Sequence, residues 1–118
     1  MKYKFPHRLR LTTGDQFKKV FCNARKISTE LYAVFCCHNN LTHPRLGIIA
    51  PKKSIRKASE RNLFKRAVRE SFRLRQHKLS AIDIVFLAYK NTENASKEKL
   101  CQHLEKQWEE LILRQKKL

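Results

Sequence analysis

The apolar positions of this chain keep two different rhythms. Phe17, Val20 and Phe21 fall at i, i+3 and i+4, which predicts the buried stripe of a helix. Thr13 stands where that helix would begin and Gln16 three residues on, the reciprocal pairing of a capping box; the stripe ends near Asn23. LYAVFCC, residues 31–37, is aromatic and branched and predicts a strand. HNNLTHP, 38–44, is turn chemistry, and RLGIIA, 45–50, predicts a second strand stopped by Pro51. A further short strand is expected around residues 26–30. After the basic loop KKSIRK, Ser59 is expected to cap a helix running to about His77. IDIVFLAY, 82–89, is apolar almost throughout, as in a well-buried strand. Asn94 or Ser96 is then placed to cap a last helix, whose Leu100, Leu104, Trp108, Leu111 and Ile112 recur at helical steps. The order α-β-β-β-α-β-α predicts an α+β sandwich, one sheet of about four strands packed against helices.

Placing the central helix on a wheel of about 100° per residue separates two arcs. Leu63, Phe64, Ala67, Val68, Ser71 and Leu74 share one side, with Phe72 at its border. Arg61, Asn62, Lys65, Arg66, Arg69 and Arg73 share the other, so the helix is expected to pack its first arc on the sheet and expose the second. Arg61, Lys65, Arg69 and Arg73 form an i,i+4 ladder of like charge, which costs an isolated helix about 0.2–0.5 kcal/mol per pair. A face needed only for solubility interleaves the signs. A ladder of arginines suits phosphate, because the planar guanidinium can bond two phosphate oxygens at once.

Charge sharpens that reading. The 118 residues carry 27 Lys and Arg against ten acids, a net +17. Residues 52–78 alone hold a net +9, concentrated as a footprint. Self-repulsion at this level calls for a polyanionic partner, and nucleic acid is the commonest. The length suits a single domain, residues 1–118, with one modest core. Two glycines and three prolines leave no flexible linker, and no repeat is visible.

Other function classes find little support. The most apolar runs, LYAVFCC and IVFLAY, are strand-length, so no membrane span is expected. The basic N-terminus MKYKFPHRLRL lacks the apolar core of a secretory signal, and the expected compartment is the cytoplasm. Cys22, Cys36, Cys37 and Cys101 have neither disulfide-framework nor metal-ligand spacing, and adjacent Cys36 and Cys37 would face opposite sides of a strand. Catalysis by the protein alone would need a histidine pair or clustered carboxylates. The five histidines are scattered, Asp83 lies in an apolar strand, and Glu60 and Glu70 stand among arginines that would pair with them.

The stretch RNLFKRAVRESFR, residues 61–73, closely resembles the RNxxKRxxRExFR motif of the bacterial ribonuclease P protein subunit. TTGDQFKKVF is similar to that family's first helix, RLGIIAPKKS to its R-x-G-(apolar)-S-KK segment, and IDIVFLAYK to its late strand. The resemblance implies a mixed sheet whose two parallel strands are joined by a left-handed crossover, against the usual hand. It implies a monomer in a one-to-one complex with a large catalytic RNA, which removes the 5′ leader of precursor tRNA. The chemistry would reside in that RNA with its Mg2+ ions, and the protein would hold no cofactor and no catalytic residue. By resemblance, Lys52, Arg56, Arg61, Asn62, Lys65, Arg66 and Arg73 contact the RNA subunit. Phe17, Phe21 and Phe35 wall a leader cleft, with Lys53, Arg69 and Lys90 at its electropositive edge. Some positions depart from the family pattern. Leu63 stands where Arg is usual, Pro51 where Ser precedes the paired lysines, Tyr89 where Arg is common, and Phe35 where Tyr is frequent. A structural RNA-binding protein of another kind, such as a ribosomal protein, would account for the charge but not for the aromatic helix.

Overall fold

The computed structural model describes residues 5–115, so MKYK of the basic N-terminus lies outside the described residues. Helix α1 (Gly14–Asn23) opens with the expected capping box. Gln16 N–H donates to the Thr13 hydroxyl at 3.2 Å, and the Gln16 side-chain oxygen accepts from Thr13 N–H at 3.2 Å. Strands β1 (Arg25–Ser28), β2 (Tyr32–His38) and β3 (Arg45–Ile49) follow, then helix α2 (Ala58–Arg75), strand β4 (Ile82–Ala88) and helix α3 (Lys97–Arg114). Single 3-10 turns occupy His7–Leu9, Gln76–Lys78 and Lys90–Asn94.

The strands form one sheet in the order β1-β2-β4-β3. β2 runs antiparallel to both β1 and β4, while β3 and β4 are parallel, with α2 as the crossover between them. Both faces are covered, as the apolar β4 implied. Tyr32, Val34, Cys36, Ile84 and Phe86 point to one face, where Phe64, Val68 and Phe72 of α2 and Leu104 and Trp108 of α3 close the main core. Trp108 sits at its centre, 5.2 Å from Phe86 and 5.7 Å from Phe72 between ring centroids. Phe35, Cys37 and Val85 point the other way, against Phe17 and Val20 of α1. Cys36 and Cys37 thus do face opposite sides, and burial pushes the Cys36 thiol up to about 11.

Two expectations about α2 are corrected. Lys57, not Ser59, is the N-cap, and it caps without a side chain. Its carbonyl accepts from Glu60 and Arg61 N–H at 3.1 Å each, so the helix starts before Ser59 is reached. The apolar face is also rotated from the wheel. Phe72, placed at the border, is fully buried beside Trp108, while Leu63 and Leu74 are 37% and 50% exposed. The reason is that α2 packs on two neighbours, so the line through Phe64, Val68 and Phe72 points into the core and Leu63 and Leu74 fall beside α3. Ser96 rather than Asn94 caps α3, its hydroxyl accepting from Lys99 N–H at 3.1 Å.

Candidate nucleic-acid interfaces

The loop before α2 is built to turn its cations outward. Ser54 and Ile55 N–H both donate to the Pro51 carbonyl, at 3.0 and 2.9 Å, so the tight turn forms with proline at that position. Ile55 plugs the loop into the core with no exposed surface, which leaves Lys52 and Lys53 in solvent. Glu93 then ties the loop down, accepting from Arg56 N–H at 2.8 Å with the Arg56 guanidinium 3.5 Å away. That backbone hydrogen bond, with the neighbouring charges of Arg56 and Lys90, holds the Glu93 carboxyl below its usual range. The Arg56 side chain nevertheless remains 82% exposed.

Along α2 the expected contacts divide. Asn62 and Arg66 are exposed, and Lys65 is half-buried on the same face. Arg61 curls back, its Nη1 donating to the carbonyls of Ile55 and Arg56 at 2.9 and 2.8 Å, so it braces the loop. Arg73, too, departs from the expected projecting row. Its side chain is only 13% exposed and donates to Glu70 at 2.8 Å. The Glu70 carboxylate, three residues back, draws the guanidinium along the helix.

The aromatic group lies on the far face of the sheet. Phe17 of α1 comes down on Gly47, where a Cβ would stand 2.5 Å from its ring. Phe21 stays 41% exposed and meets Phe35 edge-on, at 4.9 Å between centroids and 84° between planes. Lys26 of β1 lies over the Phe35 ring at 5.7 Å, a cation–π contact whose partner was invisible until the strand register was known. Next to Phe35 and Val85 in the register, Leu87 and Ile49 extend the apolar floor, both half-buried. The Ser28 and Tyr89 hydroxyls share a 3.0 Å hydrogen bond, so Tyr89 has a local role where a cation was usual. Lys53 and Lys90 are exposed. Arg69 is not part of this group. It belongs to α2, on the other side of the sheet, and its Nε donates to Lys65 O at 3.2 Å.

Asp83, the carboxylate embedded in β4, is fully engaged. Arg45 donates to its two oxygens at 2.9 and 2.7 Å, and Asn39 at 2.8 Å. This is a brace between β3, β4 and the 38–44 turn, and Asp83 is buried within it. Among the described residues no group of three His, Cys, Asp or Glu could hold a metal ion. No helix among them is long and apolar enough to cross a membrane.

A cationic helix and loop on one side of a mixed sheet, with clustered, part-exposed aromatics on the other, define a small α+β RNA-binding protein. Comparison with known proteins makes this specific. The ribonuclease P family model matches residues 5–112. The chain is 46% identical over 110 residues to the ribonuclease P protein component of Photobacterium profundum, covering 93% of each. It is 44% identical over 108 residues to that of Escherichia coli O157:H7, covering 92% of this chain and 91% of that one. The solved RNase P protein of Staphylococcus aureus aligns with a TM-score of 0.79 at 27% identity, covering 83% of this chain and 90% of that one. That of Thermotoga maritima aligns at 0.66 and 30%, covering 82% and 96%. The chain belongs to the bacterial ribonuclease P protein family, and is therefore a component of a tRNA-processing endoribonuclease with an RNA partner.

Proposed function

We propose that this protein grips the RNA subunit of ribonuclease P through α2 and its preceding loop while the aromatic cleft holds the 5′ leader of precursor tRNA. The observation that carries this reading is the separation of two unlike surfaces by one sheet, which lets both partners be held together. Lys52, Arg56, Asn62, Lys65 and Arg66 would meet the RNA subunit, with Arg61 fixing the loop that presents Lys52 and Arg56. Phe17, Phe21 and Phe35 offer faces and edges to unpaired bases, and Lys26, Lys53 and Lys90 offer charge to the backbone. Stacking of this kind contributes about 1–3 kcal/mol per base and tolerates any sequence. Hydrolysis of the phosphodiester is left to the RNA with its Mg2+, and the protein acts as a cytoplasmic monomer in a one-to-one complex.

A ribosomal protein would use the cationic face equally well but would leave the aromatic cleft idle. Reconstitution separates the two. Precursor tRNA should be cleaved at its mature 5′ end faster by the RNA subunit with the protein than without it, and not at all by the protein alone. Phe17→Ala should lower affinity for leader-bearing substrate by about five- to a hundredfold while leaving mature tRNA affinity unchanged. Equal losses for both would remove the cleft assignment.

A further inference from the structure

Between α2 and α3 lies an open cavity of about 290 Å³ that shares only Arg66 with the two proposed surfaces. Its floor is apolar, made by Leu63, Leu74, Cys101 and Leu104, and two of these leucines are the exposed ones on α2. Its rim carries Arg66, Arg75 and Lys97. Of the two acids beside it, Glu70 is already paired with Arg73, and Glu105 is exposed. The cavity is held in shape from beneath. Trp108 Nε1 donates to the Ser71 hydroxyl at 2.7 Å, and that hydroxyl donates to Val68 O at 2.9 Å, pinning the helices together at the groove wall.

We propose that this groove receives a single unstacked nucleobase of the RNA subunit, with its flanking phosphates on Arg66 and Lys97. The inference rests on the reading of α2 as the RNA-subunit face and deepens it. Three arguments select the occupant. A slot of this volume, greasy below and cationic above, matches a flat base attached to phosphates, since a splayed-out base is held by apolar or guanidinium planes. An apolar peptide would leave the exposed Arg66 and Lys97 unmatched. Arg66 also belongs to both the groove rim and the cationic face, so an RNA lying along α2 passes directly over the opening. Leu63 then gains a purpose. On this reading its part-exposed side chain supplies floor for the base.

The two kinds of contact differ in salt dependence, which supplies the test. Leu74→Asn in the full chain alters a half-exposed side chain, and folding is checked by thermal unfolding. Its affinity for the cognate RNA subunit should fall at least about fivefold at every salt concentration, with the slope of log K against log salt unchanged. Arg66→Ala should instead reduce that slope by about one. In the unaltered complex, bound RNA should protect the Cys101 thiol from N-ethylmaleimide while Cys22, exposed on α1, continues to react. Unchanged affinity of Leu74→Asn would overturn the groove assignment, as would free alkylation of Cys101 in the complex. So would a dimer of the free protein, seen by sedimentation equilibrium, that Leu74→Asn dissociates, because the occupant would then be a second copy. Failure of the unaltered protein to bind the RNA would instead remove the parent reading.

Discussion

On α2, Arg66 stands in solvent, whereas the Arg73 side chain is 13% exposed and bonded to Glu70. The same substitution should therefore do different things at the two sites. Arg66→Ala is expected to weaken RNA-subunit binding by about 1–3 kcal/mol and leave the urea midpoint unchanged. Arg73→Ala is expected to lower the urea midpoint, by about 1–3 kcal/mol of stability, with the smaller effect on binding. The reverse order in paired denaturation and filter-binding measurements would show that the roles of these two arginines were exchanged. The motif named both arginines without distinguishing them, because a pattern of residue types does not say which cation pairs with Glu70 and which stays in solvent. Gly47 shows the converse. Its place in R-x-G was plain, but the reason for glycine there is the Phe17 ring arriving from a helix some thirty residues earlier in sequence.

Between elements, the strongest single tie is Asp83 to Arg45 and Asn39, with Asp83 only 3% exposed. Asp83→Ala would strand a guanidinium of β3 and an amide of the 38–44 turn. A loss of about 3–5 kcal/mol in unfolding free energy is expected, and a loss below about 1 kcal/mol would mean the network is dispensable. The loop that presents Lys52 and Arg56 depends on Glu93 in a pH-sensitive way. Because the folded carboxyl titrates below its unfolded value of about 4.3, the tie is complete above that value and is lost as pH falls through the lowered folded one. The Arg56 amide resonance should follow this transition, with a midpoint below about 4.3; a midpoint above it would contradict the geometry.

The capping box of α1, the turn at 38–44 and all four strands could be read from local pattern, because each is set by neighbours in sequence. The start of α2 could not, since Ser59 is a good cap in isolation while the Lys57 carbonyl caps without a side chain, next to a loop that Arg61 braces. Nor could the rotation of α2, which follows from having two packing partners. The candidate sites divide in the same way. Phe17, Phe21 and Phe35 fall on one face of the sheet, whereas Lys26 entered only through its pairing with Phe35 and Arg69 left because α2 lies on the opposite face.

For the molecule as a whole, a net charge of +17, of which +9 lies in residues 52–78, makes docking to phosphate an ion-release process. The direct test is the affinity of the full-length protein for its ribonuclease P RNA as a function of salt. If about 6–10 phosphates are engaged, binding should weaken about 10³–10⁵-fold between 50 and 200 mM, and alanine at Lys52, Arg56 or Arg66 should each flatten the slope. A nearly flat profile, or slopes indifferent to those three residues, would contradict the account.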